Sequence, residues 1–322
     1  MEKVKIGVIG TGKLGRYHTL KYAANASADL VGITDIDGEC AKSVAEEAGC
    51  RVFSTPEELL REVDAVSIAV PTDLHLNAGL MALQSGVHCL IEKPIAAAKT
   101  EAEALLAAAE ANGRILQVGH IERFNPALKS LEGIDLNPMF IEAHRLAPFT
   151  PRGTEVAVVL DLMIHDIDII LHLVKSPVKF IDASGAAVVS DTADIANARI
   201  RFENGCVANL TASRISQKRM RKFRLFQRDA YISIDFNDRQ TEVFELKLRP
   251  DADDTVVSEI GVGDKMKKVI YNKYEEAQAD ALEAETSAFI DTVLGKRTEG
   301  VTGSEGSEAL AVALDILEAM KS

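Results

Sequence analysis

The apolar run Val4-Lys5-Ile6-Gly7-Val8-Ile9 leads directly into Gly10-Thr11-Gly12-Lys13-Leu14-Gly15, and this junction constrains the fold more than any other feature of the chain. A short apolar run closed by glycine reads as a buried strand. Gly10 allows the tight turn that follows, Gly12 lets the backbone approach a pyrophosphate, and Gly15 permits a helix to pack closely on the strand with its N-terminus facing negative charge. Three glycines at this spacing also occur in turns of unrelated function. Here they are joined by Asp35, twenty residues beyond Gly15 at the end of the next strand-like run, where a carboxylate accepts hydrogen bonds from both hydroxyls of an adenosine ribose. Gly10, Thr11, Gly12, Lys13, Leu14, Gly15 and Asp35 are therefore expected to bind a dinucleotide. A carboxylate repels a 2′-phosphate and no arginine follows Asp35 directly, so NAD is favoured over NADP.

The pattern continues through the first third of the chain. Strand-like runs at Leu30–Ile33, Ala65–Val70, Val87–Ile91 and Ile115–Val118 alternate with helical stretches such as Lys99–Asn112, whose apolar Ala102, Leu105, Leu106 and Ala109 have helical spacing and whose end is marked by Gly113. Strand and helix in alternation imply a parallel, doubly wound sheet. After Gly119 the pattern changes to an apolar helix over Val156–Val174 and then to neighbouring strands. Ala198–Phe202 and Val207–Thr211 flank Glu203-Asn204-Gly205, a hairpin signal, and strand-like runs follow at Phe223–Phe226, Tyr231–Phe236 and Glu242–Leu248. Helices are expected again over Tyr274–Leu294 and Ser304–Met320. At about 150 residues per domain, 322 residues suggest two. The expected architecture is α/β: a Rossmann domain with a doubly wound parallel sheet over residues 1–119, then an α+β domain with a mostly antiparallel open sheet over 120–322, its last helix a candidate to pack back on the first domain.

Charge narrows the partners. A net charge of −13 argues against a nucleic-acid binder, which needs cations to displace phosphate counterions. The balance is uneven, however: seven basic side chains and no acid lie between Arg214 and Arg228, a run that reads either as an anion contact or as a solvated strand face. Cys40, Cys50, Cys89 and Cys206 are far apart and form no CxxC pair, which suits a reducing cytoplasm and encodes neither a disulfide framework nor a zinc cluster. The N-terminus lacks an apolar signal core and every long apolar stretch is interrupted by charge, so no membrane partner is expected.

Several polar groups stand where chemistry is placed in such folds. Glu92-Lys93-Pro94 ends a central strand, at the edge where open α/β sheets bind ligands. A lysine there can hydrogen-bond a substrate hydroxyl and stabilise a developing alkoxide, although an exposed loop lysine before a helix explains it equally well. On the apolar helix, Asp161, His165, Asp168 and His172 fall at spacings that line one face. Such a stripe must meet a wet cleft or a hydrogen-bonded network, because burying it unpaired costs several kcal/mol, of the order of 2–7 per group. His165 is then suited to take a hydroxyl proton while Asp161 orients it. A metal reading of the same residues lacks a further His or Cys ligand, so no metal is expected. Val70, Pro71, Thr72 and His75 follow a strand and are candidates for the cofactor, as are Glu92, Lys93 and Pro94; a helix N-cap would account for Thr72 as well. His120, Arg123 and Asn125 follow the last parallel strand, and Arg145 and Arg152 flank a Pro-containing loop before the striped helix, an arrangement suited to an anionic substrate.

Together the glycine loop, Glu92-Lys93-Pro94 and the Asp161-x-x-x-His165 pair resemble the Gfo/Idh/MocA oxidoreductases over essentially the whole chain. The resemblance implies NAD(P)-dependent oxidation of a sugar or cyclitol hydroxyl, with Lys93 and His165 carrying the proton chemistry and Asp161 beside them. It also implies a second domain that binds substrate and, through its open sheet, a homodimer or homotetramer. Gly119–Pro126 and Arg145–Arg152, continuing to Asp161–Asp168, are similar to the subgroup of that family that oxidises the 3-hydroxyl of UDP-N-acetylglucosamine, for amino-sugar biosynthesis. That likeness implies a nucleotide-sugar substrate, with His120, Arg123, Asn125, Arg145, Arg152 and Arg214 as its contacts beside Lys93, Asp161 and His165. An enzyme of the same family acting on a free sugar or inositol, and a non-catalytic NAD-binding regulator, are the alternative readings.

Overall fold

The computed structural model describes residues 3–150, 156–275, 279–296 and 300–321. In chain order its first elements are β1 (Val4–Ile9), α1 (Lys13–Ala24), β2 (Ala28–Thr34), α2 (Gly38–Ala48), β3 (Arg51–Val52), α3 (Pro56–Leu60), β4 (Ala65–Ile68), α4 (His75–Gln84), β5 (His88–Glu92), α5 (Lys99–Ala111) and β6 (Leu116–Gly119). There follow α6 (Pro126–Lys129), β7 (Phe140–Leu146), a π turn over Val159–Met163, α7 (Ile164–Val174), β8 (Val178–Ala186), β9 (Ile195–Phe202), β10 (Val207–Ser213), β11 (Met220–Gln227), β12 (Ala230–Asp235), β13 (Gln240–Lys247), β14 (Val256–Ile260) and β15 (Lys267–Glu275). The chain closes with α8 (Ala281–Val293) and α9 (Gly303–Ala319). It divides into two compact units, Met1–Ile121 with Asp280–Ala311, and Glu122–Ala279 with Val312–Ser322.

In the first unit, six strands among the described residues form a parallel sheet in the order β3-β2-β1-β4-β5-β6. Val4, Ile6, Val8 and Ile9 of β1 and the whole of β4 are buried, as befits strands covered by helices on both faces. Helix boundaries follow local chemistry: the Asp37 carboxylate caps α2 at the amides of Glu39 and Cys40, and Gly49 ends it in the left-handed region. The late segment returns to this unit along β6, where the Val118 amide donates to Val301 and the Gln117 side chain donates to Thr292 at 3.1 Å. The sheet order reverses between β1 and β4, so the loops after those two strands diverge and open a crevice at the carboxyl edge.

In the second unit, nine strands among the described residues are ordered β14-β15-β13-β12-β11-β7-β10-β9-β8, antiparallel throughout except for β10 beside β7. The hairpin expected at Asn204-Gly205 joins β9 to β10, with Gly205 at φ +90°. One face of the sheet is apolar and buried, through Ile141, Ala143, Ala198, Ile200, Leu210, Phe223, Leu225, Ile232 and Ile234. The other carries a row of rings, Phe140, Phe226, Tyr231, Phe244 and Tyr271, with successive centroids 6.0, 5.0, 5.6 and 5.0 Å apart.

Two helix boundaries differ from the sequence reading. Tyr274 lies in β15 opposite Thr241, and the helix begins only at Ala281, where the Asp280 carboxylate caps the amides of Leu282 and Glu283. Before His165 the backbone widens into the π turn, in which the Ile164 amide reaches Val159, so the uniform α-helix expected from Val156 starts only at Ile164.

Candidate active site

The loops after β1, β2, β4 and β5 all lie on the carboxyl edge of the first sheet, and they carry Gly10–Gly15, Asp35, Val70–Thr72 and Glu92–Pro94. Gly10 holds φ +89°, and a Cβ on Gly15 would sit 1.8 Å from the carbonyl oxygen of Gly10, so the turn and the close helix approach both exclude a side chain. Around Gly12 the opposite holds: a Cβ there would meet nothing within 4 Å. Helix α1 opens beside this space with no side-chain cap and no acid in its first turn, which leaves its N-terminal amides for an anion. The Asp35 carboxylate accepts from the Thr11 amide at 2.5 Å, from the Thr11 hydroxyl at 3.0 Å and from the Asp37 amide at 2.8 Å, which fixes it at the end of β2. Open space at Gly12 beside the uncapped start of α1 and a fixed carboxylate at the end of β2 are the features a dinucleotide requires.

His75 was expected at the cofactor, but the structure buries it. Its ring bridges two loops of that edge, Nδ1 lying 2.8 Å from the Pro94 carbonyl and Nε2 lying 3.0 Å from the Val70 carbonyl. Burial pushes its pKa down, against the pull of those carbonyls. Lys93 follows β5 and joins Pro94 through a cis peptide. Its amide donates to the Glu92 carboxylate at 3.2 Å, and the other Glu92 oxygen is 2.9 Å from Nε2 of His18, a side chain that the sequence reading passed over. The available signal was helical spacing: Gly15, His18, Thr19 and Tyr22 form the buried face of α1, and a polar face turned inward calls for partners. His120, just past β6, is also buried, with its amide on the Val118 carbonyl.

In the second unit the striped helix separates by environment. Asp161 in the π turn and His165 in the first turn of α7 are half-buried and His172 is exposed, whereas Asp168 leaves the stripe for a bidentate pair with Arg123 at 2.7 and 3.1 Å. Next to it Arg145, 3% exposed, donates to Asp166 at 2.8 Å and to Glu122 at 2.8 Å, and Arg221 reaches Glu122 at 3.2 Å. Burial pushes the Glu122 carboxyl up, but Arg145, joined by Arg221 and the Asn125 amide, more than reverses this and holds it below the usual glutamate range. Asp166 remains above its usual range because burial outweighs the same arginine.

The arginines expected to meet an anionic substrate are therefore largely engaged inside the unit. Arg123 and Arg145 tie α7 to the segment after β6 and to β7. Arg214 donates to the carbonyls of Val156 and Ala193, with Asp194 3.7 Å from its Nε. Asn125 caps α6 at the Ala127 amide and reaches Glu122 at 3.1 Å. For the three arginines, acids and carbonyls from remote segments offset the burial of groups that a linear reading assigns to substrate, whereas Asn125 is engaged mainly by its own neighbours. Arg152 lies outside the described residues. Among the described residues no cluster of His, Cys, Asp or Glu has the arrangement of a metal site.

Residues 4–120 match the oxidoreductase family with an NAD-binding Rossmann fold, and residues 141–233 match the GFO/IDH/MocA C-terminal domain. The chain is 39% identical over 322 residues to the UDP-N-acetylglucosamine 3-dehydrogenase of Acidithiobacillus ferrooxidans, covering 100% of this chain and 98% of that protein. A solved structure of that enzyme superposes with a TM-score of 0.89 at 38% identity, over 99% of this chain and 98% of the other. A myo-inositol 2-dehydrogenase of Thermotoga maritima is 25% identical over 329 residues, 95% of this chain and 93% of its own length. Levoglucosan dehydrogenase in complex with NADH shares the fold, with a TM-score of 0.84 at 19% identity over 99% of this chain and 97% of that one. With both of its domains matched and a full-length relative at this identity, the chain belongs to the Gfo/Idh/MocA family of oxidoreductases.

Proposed function

We propose that this chain oxidises the 3-hydroxyl of a UDP-N-acetylhexosamine with NAD, in the biosynthesis of amino sugars. The observation that carries the reading is the placement of Lys93 at the carboxyl edge of the sheet that bears the Gly10–Gly15 loop and Asp35. The full-length similarity to a UDP-N-acetylglucosamine 3-dehydrogenase supports the substrate. When bound, the dinucleotide supplies the acceptor for a hydride. The chain supplies the rest: the Lys93 ammonium donates a hydrogen bond to the sugar hydroxyl and holds the negative charge that grows on its oxygen, while His165 takes the hydroxyl proton and Asp161 orients the imidazole. The carbon–hydrogen bond yields its electron pair with the hydride, and the oxygen–hydrogen bond leaves its pair to form the ketone.

Asp35 supports NAD over NADP, because its charge, with Asp37 two residues on, opposes a 2′-phosphate. Lys218 and Arg219, exposed between β10 and β11, are our candidates for the diphosphate in place of the internally paired arginines. The ring row on the open sheet face supports assembly of copies through that sheet as a dimer or tetramer. The four free thiols suit a reducing cytoplasm, and no described helix is long and apolar enough to cross a membrane.

One observation favours a second reading. Because Arg123, Arg145 and Arg214 are engaged internally, an uncharged sugar or inositol also fits the unit that holds them. Formation of NADH from a panel of free and UDP-linked sugars, at equal NAD and NADP, decides between the two. Turnover with UDP-N-acetylglucosamine and NAD is expected, and turnover with free sugars alone overturns the nucleotide-sugar reading.

A further inference from the structure

An α-helix running on from Val156 would give that residue's carbonyl to the Leu160 amide, four residues ahead. The Arg214 guanidinium takes it instead, and the Leu160 amide turns to the Ala157 carbonyl at 3.0 Å. The same guanidinium nitrogen donates at 3.2 Å to the Ala193 carbonyl, whose second lone pair accepts the Val158 amide at 3.0 Å. One side chain thus ties both sides of Ala157 to the segment entering β9, immediately before the π turn over Val159–Met163.

Arg214 is itself held firmly. It is 5% exposed and follows β10, and its amide donates to the Asp194 carbonyl at 2.9 Å, which extends the pairing of β9 with β10 by one residue. The buried Asp194 carboxylate lies 3.7 Å from its Nε. That carboxylate also accepts the amides of Val188, Val189 and Ser190 at 2.8, 2.6 and 2.9 Å and the Ser190 hydroxyl at 2.6 Å. The acid therefore keeps four donors whatever side chain stands at 214. The distinctive work of the guanidinium is at the two carbonyls.

We infer that Arg214 is a positioning residue for the proton-transfer pair: by holding the Val156 and Ala193 carbonyls it keeps the helix entry in its π turn, and that turn sets the bearing of Asp161 relative to His165. Widening one turn of a helix rotates the residues inside it against those that follow. Asp161 lies inside the π turn, and His165 is the second residue of α7. The inference rests on the reading that these two residues carry the proton chemistry.

Hydrogen–deuterium exchange of the whole protein, read on peptides covering residues 157–165, tests the structural part without a substrate. Arg214→Met is expected to speed exchange there by about tenfold or more, while peptides covering β12 and β13 keep native rates, because the loss is confined to the helix entry. Arg214→Lys, whose ammonium reaches a carbonyl without the planar fork, is expected to fall between. With UDP-N-acetylglucosamine and NAD, kcat of Arg214→Met should drop by about 10- to 100-fold, the cost of misplacing a reacting group by about an ångström. KM should stay within about threefold, since the side chain faces the protein interior.

Exchange at 157–165 no faster than native in Arg214→Met overturns the inference, and a raised KM in that case makes Arg214 a substrate contact. A rise shared evenly by β12 and β13 overturns it too, since it marks a general loss of stability. If that variant does not fold, Arg214→Lys is judged by the same results. Faster local exchange with a lowered kcat supports both readings. Faster local exchange with a native kcat leaves Arg214 holding the turn and removes Asp161 and His165 from the chemistry.

Discussion

Arg145 stands between two carboxylates, donating to Asp166 of α7 at 2.8 Å and to Glu122 at 2.8 Å. A guanidinium presents its donors in a planar fork, so one side chain joins the segment after β6, β7 and α7. Removing it takes the guanidinium from the buried Asp166 and leaves Glu122 its longer contact with Arg221. Arg145→Met is expected to destabilise the second unit by about 3–5 kcal/mol in urea unfolding, and Arg145→Lys to recover only part of this because an ammonium lacks the fork. A loss below about 1 kcal/mol in both would refute the role given to this bridge.

The same cluster makes stability depend on pH with a definite sign. Glu122 titrates below its usual 4.5 in the folded protein, so the unfolded chain binds the proton first as pH falls. Its contribution is complete above about 4.5 and is lost as pH drops through the lower folded value. Asp166, shifted upward, contributes with the opposite sign. Glu122→Gln should therefore be less stable at neutral pH but show a shallower acid decline, measured as unfolding midpoints between pH 6 and pH 3, a window set around these usual carboxyl values.

Lys93→Met tests the proposed chemistry directly. Turnover should fall by about 10²–10⁴-fold or more, the usual weight of a general acid–base group, while NADH binding by fluorescence stays near native. Near-native turnover in this variant would remove Lys93 from the mechanism.

Gly12 and Gly15 separate binding from folding. A Cβ at Gly12 meets no protein atom within 4 Å, whereas one at Gly15 would sit 1.8 Å from the Gly10 carbonyl. Gly12→Ala should keep the melting temperature of the free protein and weaken NAD, because its methyl fills the space left for the pyrophosphate. Gly15→Ala should lower the melting temperature without any ligand. Equal effects of the two on both measurements would contradict the assignment.

Asp35→Ser probes the choice of coenzyme. Losing a charged acceptor for the ribose is expected to reduce kcat/KM for NAD about tenfold or more, and losing the repulsion to raise that for NADP, as read in parallel assays. An unchanged ratio would place coenzyme selection elsewhere.

Much of the first unit was legible because its signals are local. Gly10–Gly15, Asp35 and Glu92-Lys93-Pro94 each follow a strand, and in a parallel sheet strand ends necessarily share an edge. The hairpin at Gly205 was legible for the same reason. His18 was missed because its partners, Ser67 and Glu92, are 49 and 74 residues away. Tyr274 was misassigned because a run of charged and small residues reads as helix until a strand such as β13 is available to pair with it.

The sequence by itself determined the alternation that builds the parallel sheet, the glycine loop at its edge, the acid at the end of β2, and a lysine at the end of β5. Only the tertiary structure decided which charges remain for a ligand. Arg123, Arg145 and Arg214 look alike along the chain, and each has become internal because a buried acid or carbonyl from a distant segment offsets its desolvation. Periodicity and turn chemistry act between neighbours, whereas desolvation depends on what the whole fold brings around a group.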